Sequence, residues 1–393
     1  MHFKIDKSTW KKVKLGEVAF EYSKRVNNPS ESGFDKFIGS SNISQWDFRI
    51  RSWDATDSVT SAMKQFDVDD YLLVRRSLYA SDFRERAPRA SFAGVCSGDI
   101  LTIKENPDMV VDGFLIGVLN SPSLWSYVVA NASGSITRRI KWRDLANYEF
   151  LLPPKDQQAQ IAELLWAMDD VVEKNLYLLE ILKVLLEVKI DEYIPRQFHD
   201  TLLLNNVIKI RRGVTYSSTD YSDVDNGLPL LNLKSIGIGG GFNPDGIKFF
   251  KGEFSESHLT KENDLLVACT DLTRAGNVIG FPLDPCVYKG KQMLFTMDLI
   301  AIQANEDFLL RDFLYYVFKS KWVHWKLFAH SPGTTVLHLD SNGILKLAIP
   351  NISITKQQNM VNSLKKIEEN IKKVDIKISA SRSLQKSLIN QVF

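Results

Sequence analysis

The sequence predicts an α+β protein with an internal repeat, in which two mixed α/β domains are each followed by a long helix. Two stretches without proline carry the prediction first: one runs from Pro154 to Pro195, the other from Pro350 to the C-terminal Phe393. Each opens on a proline and a Gln-Gln pair, Gln157-Gln158 and Gln357-Gln358, 200 positions apart, and repeated punctuation of this kind marks a repeated architecture. Charge is the second observation. Residues 155–200 hold ten acidic against five basic side chains, and residues 351–393 hold eight basic against three acidic. Complementary flanking charges select helix partners, so the two helices are expected to lie against each other.

Length and composition set the outer limits. A chain of 393 residues buries a sizeable core and divides into two or more domains. With 44% hydrophobic and 24% charged residues, the composition is that of a soluble globular protein. Residues 1–7 lack the apolar core of a signal peptide. The most apolar long stretch, residues 176–194, is broken by Glu180, Lys183, Glu187, Lys189 and Asp191, which excludes a membrane span. Cys96, Cys269 and Cys286 are odd in number and have no CxxC spacing, as expected of reduced thiols in the cytoplasm. The net charge of +2 does not by itself announce a nucleic-acid binder.

Along the chain, residues 1–152 form the first mixed domain. Trp10 to Ala19 make a packed segment, and strands follow at Phe37-Ile38, Tyr71-Leu72-Leu73-Val74 and Asp99-Ile100-Leu101-Thr102-Ile103. Residues 112–120 and 124–130 carry apolar residues at helical spacing. A small-residue turn, Ser133-Gly134-Ser135, precedes a last strand at residues 149–152.

Residues 153–198 are the first long helix. Pro153-Pro154 forbid helix before it, and Asp156 suits the positive end of the helix dipole. Its apolar seam runs through Ile161, Leu164/Leu165, Met168, Val171/Val172, Leu179, Leu182, Leu186 and Tyr193, interrupted by Asn175. The spacing is close to ~3.5 residues, that of a coiled coil. At about 1.5 Å per residue the helix is roughly 60 Å long, so a rod or spacer is expected rather than a core element.

Residues 199–350 are the second domain, with a basic turn at Arg211-Arg212-Gly213 and a strand within residues 228–233. A flexible connection at residues 237–241 leads to a strand at Asp264-Leu265-Leu266-Val267, and helices follow at residues 313–318 and 322–328. Residues 351–393 are the second long helix, with the seam Met360/Val361, Leu364, Ile367, Ile371, Val374, Ile378, Leu384, Leu388 and Val392. The repeat reaches into the domains. Asp70-Tyr71-Leu72-Leu73-Val74 answers Asp264-Leu265-Leu266-Val267, residues 112–121 answer 311–320, and Ser133-Gly134 answers Pro332-Gly333.

This layout resembles the specificity (S) subunit of type I restriction–modification systems. The resemblance rests on Leu152-Pro153-Pro154, Gln157-Gln158, Ile161-Ala162-Glu163-Leu164-Leu165 and Met168-Asp169, with a divergent second copy in Ile349-Pro350, Gln357-Gln358, Val361 and Leu364. The start Trp10, Leu15-Gly16-Glu17-Val18 also fits, while the second domain lacks a counterpart to Trp10. The resemblance covers essentially the whole chain. It implies two target recognition domains, each reading one half of a bipartite site in double-stranded DNA. It further implies that the two helices form an antiparallel coiled coil that sets the spacing, with a pseudo-twofold repeat. Two modification (methyltransferase) subunits dock on such a subunit and methylate adenine with S-adenosylmethionine, and restriction subunits join them. The S subunit itself binds no cofactor and catalyses nothing.

Motifs for catalysis are missing from the sequence. The Asn-Pro dipeptides at Asn28, Asn106 and Asn243 lack the second proline and aromatic residue of an adenine methyltransferase. No phosphate loop occurs, and Gly239-Gly240-Gly241 lacks cofactor-loop spacing. Glu187-Val188-Lys189 resembles a nuclease fragment but lies on the long helix. His324, His330 and His338 lack HExxH spacing, so no metal site is expected.

Lys and Arg supply affinity for phosphates, and side chains reaching base edges supply specificity. The candidates in the first domain are Arg75, Arg76, Arg84, Arg86, Arg89, Arg138 and Arg139. In the second they are Arg211, Arg212, Thr215, Tyr216, Lys234, Arg274, Lys289, Lys291 and His330. Partner docking is expected around Gln157, Gln158, Gln357 and Gln358. The competing class is a coiled-coil structural or assembly protein without sequence-specific DNA contact.

Overall fold

A computed structural model describes residues 6–79, 83–223, 226–284, 292–333 and 336–393. Cys286, Lys289 and Lys291 lie outside the described residues. The chain divides into two compact units, one of Met1–Leu178 with Val374–Phe393, the other of Leu179–Lys373.

The first unit begins β1 (Lys11–Lys14), α1 (Leu15–Val18), β2 (Ala19–Glu21), β3 (Lys24–Val26), β4 (Lys36–Ile38), β5 (Asp54–Ala55) and β6 (Met63–Phe66). It continues with β7 (Tyr71–Val74), β8 (Arg76–Ser77), β9 (Gly94–Cys96), β10 (Ile100–Glu105), α2 (Leu115–Leu119) and α3 (Pro122–Asn131). Then come β11 (Arg138–Arg139), α4 (Trp142–Leu145), β12 (Glu149–Leu152) and the long helix α5 (Lys155–Tyr193), whose later residues belong to the second unit. A three-stranded sheet of order β2-β10-β7 and a five-stranded sheet of order β3-β6-β9-β4-β5 form the body. Two-stranded ladders β1-β12 and β8-β11 complete it. The run Tyr71-Leu72-Leu73-Val74 is buried at all four positions, as a strand covered on both faces must be.

The second unit repeats the plan with β13 (Thr201–Leu203), β14 (Ile208–Arg212), β15 (Tyr221–Ser222), β16 (Leu228–Leu231), β17 (Lys248–Phe250), β18 (Asp264–Ala268) and β19 (Thr270–Asp271). It goes on through β20 (Pro282–Leu283), β21 (Leu294–Phe295), β22 (Leu299–Ala304), α6 (Arg311–Lys319) and α7 (Lys321–Ala329). β23 (Leu337–His338), α8 (Ser341–Leu345), β24 (Ala348–Pro350) and α9 (Ile354–Val392) end the chain. The ladder β13-β24 corresponds to β1-β12, the run β14-β22-β18 to β2-β10-β7, and β19-β23 to β8-β11.

Backbone hydrogen bonds show the duplication most directly. Leu15 N–H donates to Tyr148 C=O at 2.8 Å, and Leu204 N–H to Leu347 C=O at 3.0 Å. Asn106 N–H donates to Val18 C=O at 2.8 Å, and Asn305 N–H to Val207 C=O at 2.7 Å. The Asp70 carboxylate caps the turn before β7 by accepting from Asp67 N–H at 2.8 Å, and Asp264 does the same for Lys261 at 2.6 Å.

Helices α5 and α9 pair in opposite directions, Leu165 C=O meeting Gln385 Nε2 at 3.5 Å and Tyr193 Oη meeting Ser363 Oγ at 3.3 Å. Of the expected seam, Leu165, Leu179, Leu186, Leu364, Val374, Ile378 and Leu388 are buried. Ile161, Met168, Leu182, Ile367 and Ile371 are half-buried. Burial of one such leucine stabilises by roughly 1.5–3 kcal/mol.

Several expectations need correction. Leu384 is exposed, and its neighbour Gln385 is buried in its place. The long helices are not free rods. Ala162 and Leu165 of α5 with Leu388, Ile389 and Val392 of α9 belong to the first unit's core. Leu186 and Ile190 of α5 with Val361 and Leu364 of α9 belong to the second unit's core. Helix α5 ends at Tyr193, since the residue before Pro195 is pushed out of the helical region. Arg211-Arg212 close strand β14 rather than making a turn. The 237–241 segment is a closed loop, with Gly237 N–H donating to Gly241 C=O at 3.0 Å and Gly241 N–H to Pro282 C=O at 2.8 Å.

Candidate nucleic-acid interface

Strand β7 ends at Val74, and the next residue, Arg75, ties two loops to it. Arg75 N–H donates to Asp99 C=O at 3.0 Å, and Arg75 C=O accepts from Ile140 N–H at 3.0 Å. The short ladder β8-β11 follows, with Arg76 opposite Arg139 and Ser77 opposite Arg138. The loop into β11 turns at Gly134, whose φ of +137° favours glycine. A Cβ there would strike Thr137 C=O. Loop tips carry exposed apolar side chains, Leu78, Tyr79 and Ile136, the last 85% exposed.

The second unit builds the same cluster. Cys269 N–H donates to Asp298 C=O, and Cys269 C=O accepts from Leu339 N–H, both at 2.8 Å. Thr270 stands opposite His338 in β19-β23, and Gly333 turns the loop at φ +150°. Leu272, Met297 and Tyr216 are its exposed apolar side chains.

The expected DNA contacts divide on this frame. Arg75, Arg76, Arg138 and Arg139 gather in the first cluster. Arg76 Nη1 and Arg139 Nη2 both reach the Asp99 carboxylate, at 2.8 and 3.0 Å. Arg138 donates twice to Ala132 C=O, at 2.7 and 3.2 Å, and so braces the turn. In the second unit Tyr216 donates to Asp298 Oδ2 at 3.2 Å, and Arg212 Nη1 lies 3.8 Å from Cys269 Sγ. Thr215, Lys234, Arg274 and His330 are exposed.

Other candidates are committed within their own unit. Arg89 pairs with Asp69 at 3.2 Å and with Asp112, and lies over the Tyr71 ring. Arg211 pairs with the buried Asp264 and donates to Ser257 and Leu259 carbonyls. Arg84 is exposed and donates to Phe83 C=O at 3.1 Å; Arg86 is half-buried and donates to Ser40 C=O at 3.4 Å.

The glutamines expected to dock partners are differently placed. Gln158 and Gln357 are each 1% exposed and bond to their own unit, so neither side chain is available to a partner. Gln157 accepts from Trp10 Nε1 at 2.8 Å, and the exposed Gln358 donates to Asn362 Oδ1 at 2.9 Å.

Sequence reasoning missed what the helix charges do. Among the described residues no ion pair joins α5 to α9; both helices pair instead with the domains, each segment with the domain of its own unit. Arg49 reaches Asp169 at 2.6 Å and also Asp170, while Arg51 reaches Glu173 and Asp47. Arg382 of α9 adds to Asp47 at 3.0 Å. Burial pushes the Asp169 carboxyl up, and the Arg49 guanidinium works against that shift. In the second unit Lys319 meets Glu368 at 3.0 Å, Lys321 meets Glu187 at 2.7 Å, and Lys365 meets Asp312.

Among the described residues no group of three His, Cys, Asp or Glu side chains could hold a metal ion. His324 is buried, with Nδ1 at 2.9 Å from Ile279 C=O and its ring stacked on Phe281. Burial pushes the Cys96 thiol up to about 12 and Cys269 to about 11, so both behave as core residues. Among the described residues no helix is long and apolar enough to cross a membrane.

No family model matches the chain, and no curated protein matches it. Solved structures do. A chain from a structure described as the structural basis of complex assembly and conformational transition of the type I R-M system matches with a TM-score of 0.58. It is 16% identical, and the match covers 98% of this chain and 97% of that one. The S subunit of a type I restriction–modification system from M. genitalium matches with a TM-score of 0.54 at 14% identity, over 100% of this chain and 98% of that one. The chain thus has the fold of a type I restriction–modification S subunit.

Proposed function

We propose that the chain is the non-catalytic DNA-recognition subunit of a type I restriction–modification complex. Each unit reads one half of a bipartite site in double-stranded DNA. Methyltransferase subunits carrying S-adenosylmethionine modify an adenine in each half, restriction subunits join to cleave unmodified DNA, and the complex works in the cytoplasm. The observation that carries this reading is the loop cluster built twice on one frame with different side chains. Arg76 and Arg139 stand where the second unit has Thr270 and His338. Shared backbone with divergent polar tips is what two readers of different half-sites require.

Docking of a methyltransferase subunit belongs on the later half of α5, away from the glutamines at the helix starts. Ile181, Val184, Leu185 and Val188 are exposed on that helix, and an apolar helix face of this kind favours burial against a partner.

Selection of bound duplexes from a randomised double-stranded DNA pool by the purified chain tests the reading. The expected outcome is one split motif, bound with an affinity that falls steeply with salt. Binding without sequence preference would return the chain to the assembly class. Methylation or cleavage by the chain alone would overturn the non-catalytic assignment.

A further inference from the structure

In the first unit, Arg76 and Arg139 face each other across the β8-β11 ladder. Side chains directly opposite in a ladder project from the same face, and like charges there repel. Asp99 resolves the conflict. Its Oδ2 accepts from Arg76 Nη1 at 2.8 Å, and its Oδ1 forms an ion pair with Arg139 Nη2 at 3.0 Å. Asp99 is itself fixed, its N–H donating to Ser97 Oγ at 3.2 Å and its C=O accepting from Arg75 N–H at 3.0 Å.

The two guanidinium groups are only partly covered, the Arg76 and Arg139 side chains being 38% and 47% exposed. Each presents five N–H donors in a rigid fork, and Asp99 pairs with one guanidinium nitrogen of each. The remaining donors are held at a known place with their orientation set in advance. One carboxylate against two guanidiniums leaves the cluster a net positive charge, so it still attracts DNA. At the corresponding rung of the second unit stand Thr270 and His338, and the Asp298 carboxylate there accepts from Tyr216.

We propose that Arg76 and Arg139 are the specificity-determining pair of the first unit, each reading a guanine, and that Asp99 is the positioning residue that orients both. This rests on the DNA-recognition reading and assigns the residues that perform it in one half-site. Arginine is the side chain that matches the two major-groove acceptors of guanine bidentately. Lysine keeps the charge but loses the fork.

The test uses the full chain and a randomised duplex pool, comparing wild type with Arg76→Lys, Arg139→Lys and Asp99→Asn. Each lysine variant is expected to lose preference for guanine at one position of one half-site by about tenfold, with the other half-site unchanged. Asp99→Asn is expected to weaken both preferences together, while affinity for unselected DNA holds or rises because a negative charge is lost. Should Asp99→Asn fail to fold, the two lysine variants decide the arginine assignment. Preferences intact in a folded Asp99→Asn variant would overturn the positioning role. A loss of affinity spread evenly over all sequences in the lysine variants would make the arginines phosphate contacts and overturn the specificity role. A wild-type chain that selects no motif would instead remove the recognition reading itself, and this inference with it.

Discussion

Gln158 and Gln357 hold one structural position in two copies of one design. The Oε1 of Gln158 accepts from Val111 N–H at 2.9 Å, and that of Gln357 from Leu310 N–H at 2.9 Å. Their Nε2 groups donate to Pro153 and Ile352 carbonyls, at 2.9 and 2.7 Å, and further to Met109 and Phe308 carbonyls. Each side chain thus joins the first turn of a long helix to the loop before the domain's helical pair. The equivalents lie 199 positions apart, so the second Gln-Gln pair is shifted by one residue relative to the first.

Replacing Gln158 or Gln357 by Ala strands buried backbone groups. The expected cost is about 1–3 kcal/mol in each case, read from urea unfolding of the purified chain. Gln358→Ala, at an exposed position, is expected to stay within about 0.5 kcal/mol. Equal effects at all three positions would contradict the structural role.

Asp47 holds Arg51 and Arg382 from two different elements. Asp47→Ala leaves both guanidiniums without that partner and is expected to destabilise the chain by about 1–3 kcal/mol. A double-mutant cycle between Arg51→Ala and Glu173→Ala is expected to give a coupling of about 0.5–3 kcal/mol. Strict additivity would show that the pair contributes nothing.

Gly134→Ala and Gly333→Ala force a side chain into a backbone conformation that glycine alone adopts freely, against the carbonyls of Thr137 and Val336. Each is expected to cost on the order of 1–3 kcal/mol. Because the strain falls on the loop that carries the candidate contacts, DNA affinity should fall along with the melting temperature. A variant with unchanged melting and binding would refute the constraint.

Burial pushes the Glu105 carboxyl up, although Leu115 N–H, Gly113 N–H and the Tyr71 hydroxyl all donate to it. A raised folded-state value means the native protein holds its proton more tightly than the unfolded chain. The contribution is complete below the ordinary value of 4.5 and is lost as pH rises through the folded value. Glu105→Gln should flatten stability against pH in the range above 4.5, as a series of denaturation curves would show. An unchanged profile would show that Glu105 does not titrate differently on folding.

Insertion of seven residues in the middle of both α5 and α9 keeps each seam in phase and adds about 10 Å of helix. Under the proposed function the bases of both half-sites stay the same while the gap between them changes. Methylated adenines mapped after co-expression with the methyltransferase subunit would read this out, and altered bases would refute it.

Much of the architecture was written in local pattern. The seam spacing, the prolines before each helix and the short strand Tyr71–Val74 follow from periodicity and backbone sterics, which neighbouring residues decide. The order of the repeats was legible for the same reason. Leu384 and Gln385 show where pattern fails: apolarity favoured the leucine, but burial follows which face meets the partner helix, and that face holds Gln385. Arg89 and Arg211 show a related limit, since an ion pair with a residue far along the chain is invisible to local charge.

By itself the sequence determined two domains, two long helices and their duplication, because these depend on spacing that each segment carries alone. Tertiary structure decided the rest: that Gln158 and Gln357 are internal braces, that helix charges pair with domains, and that Asp99 stands between Arg76 and Arg139. Those relationships join residues distant in sequence, and only the folded chain brings an acceptor within hydrogen-bond reach of its donor.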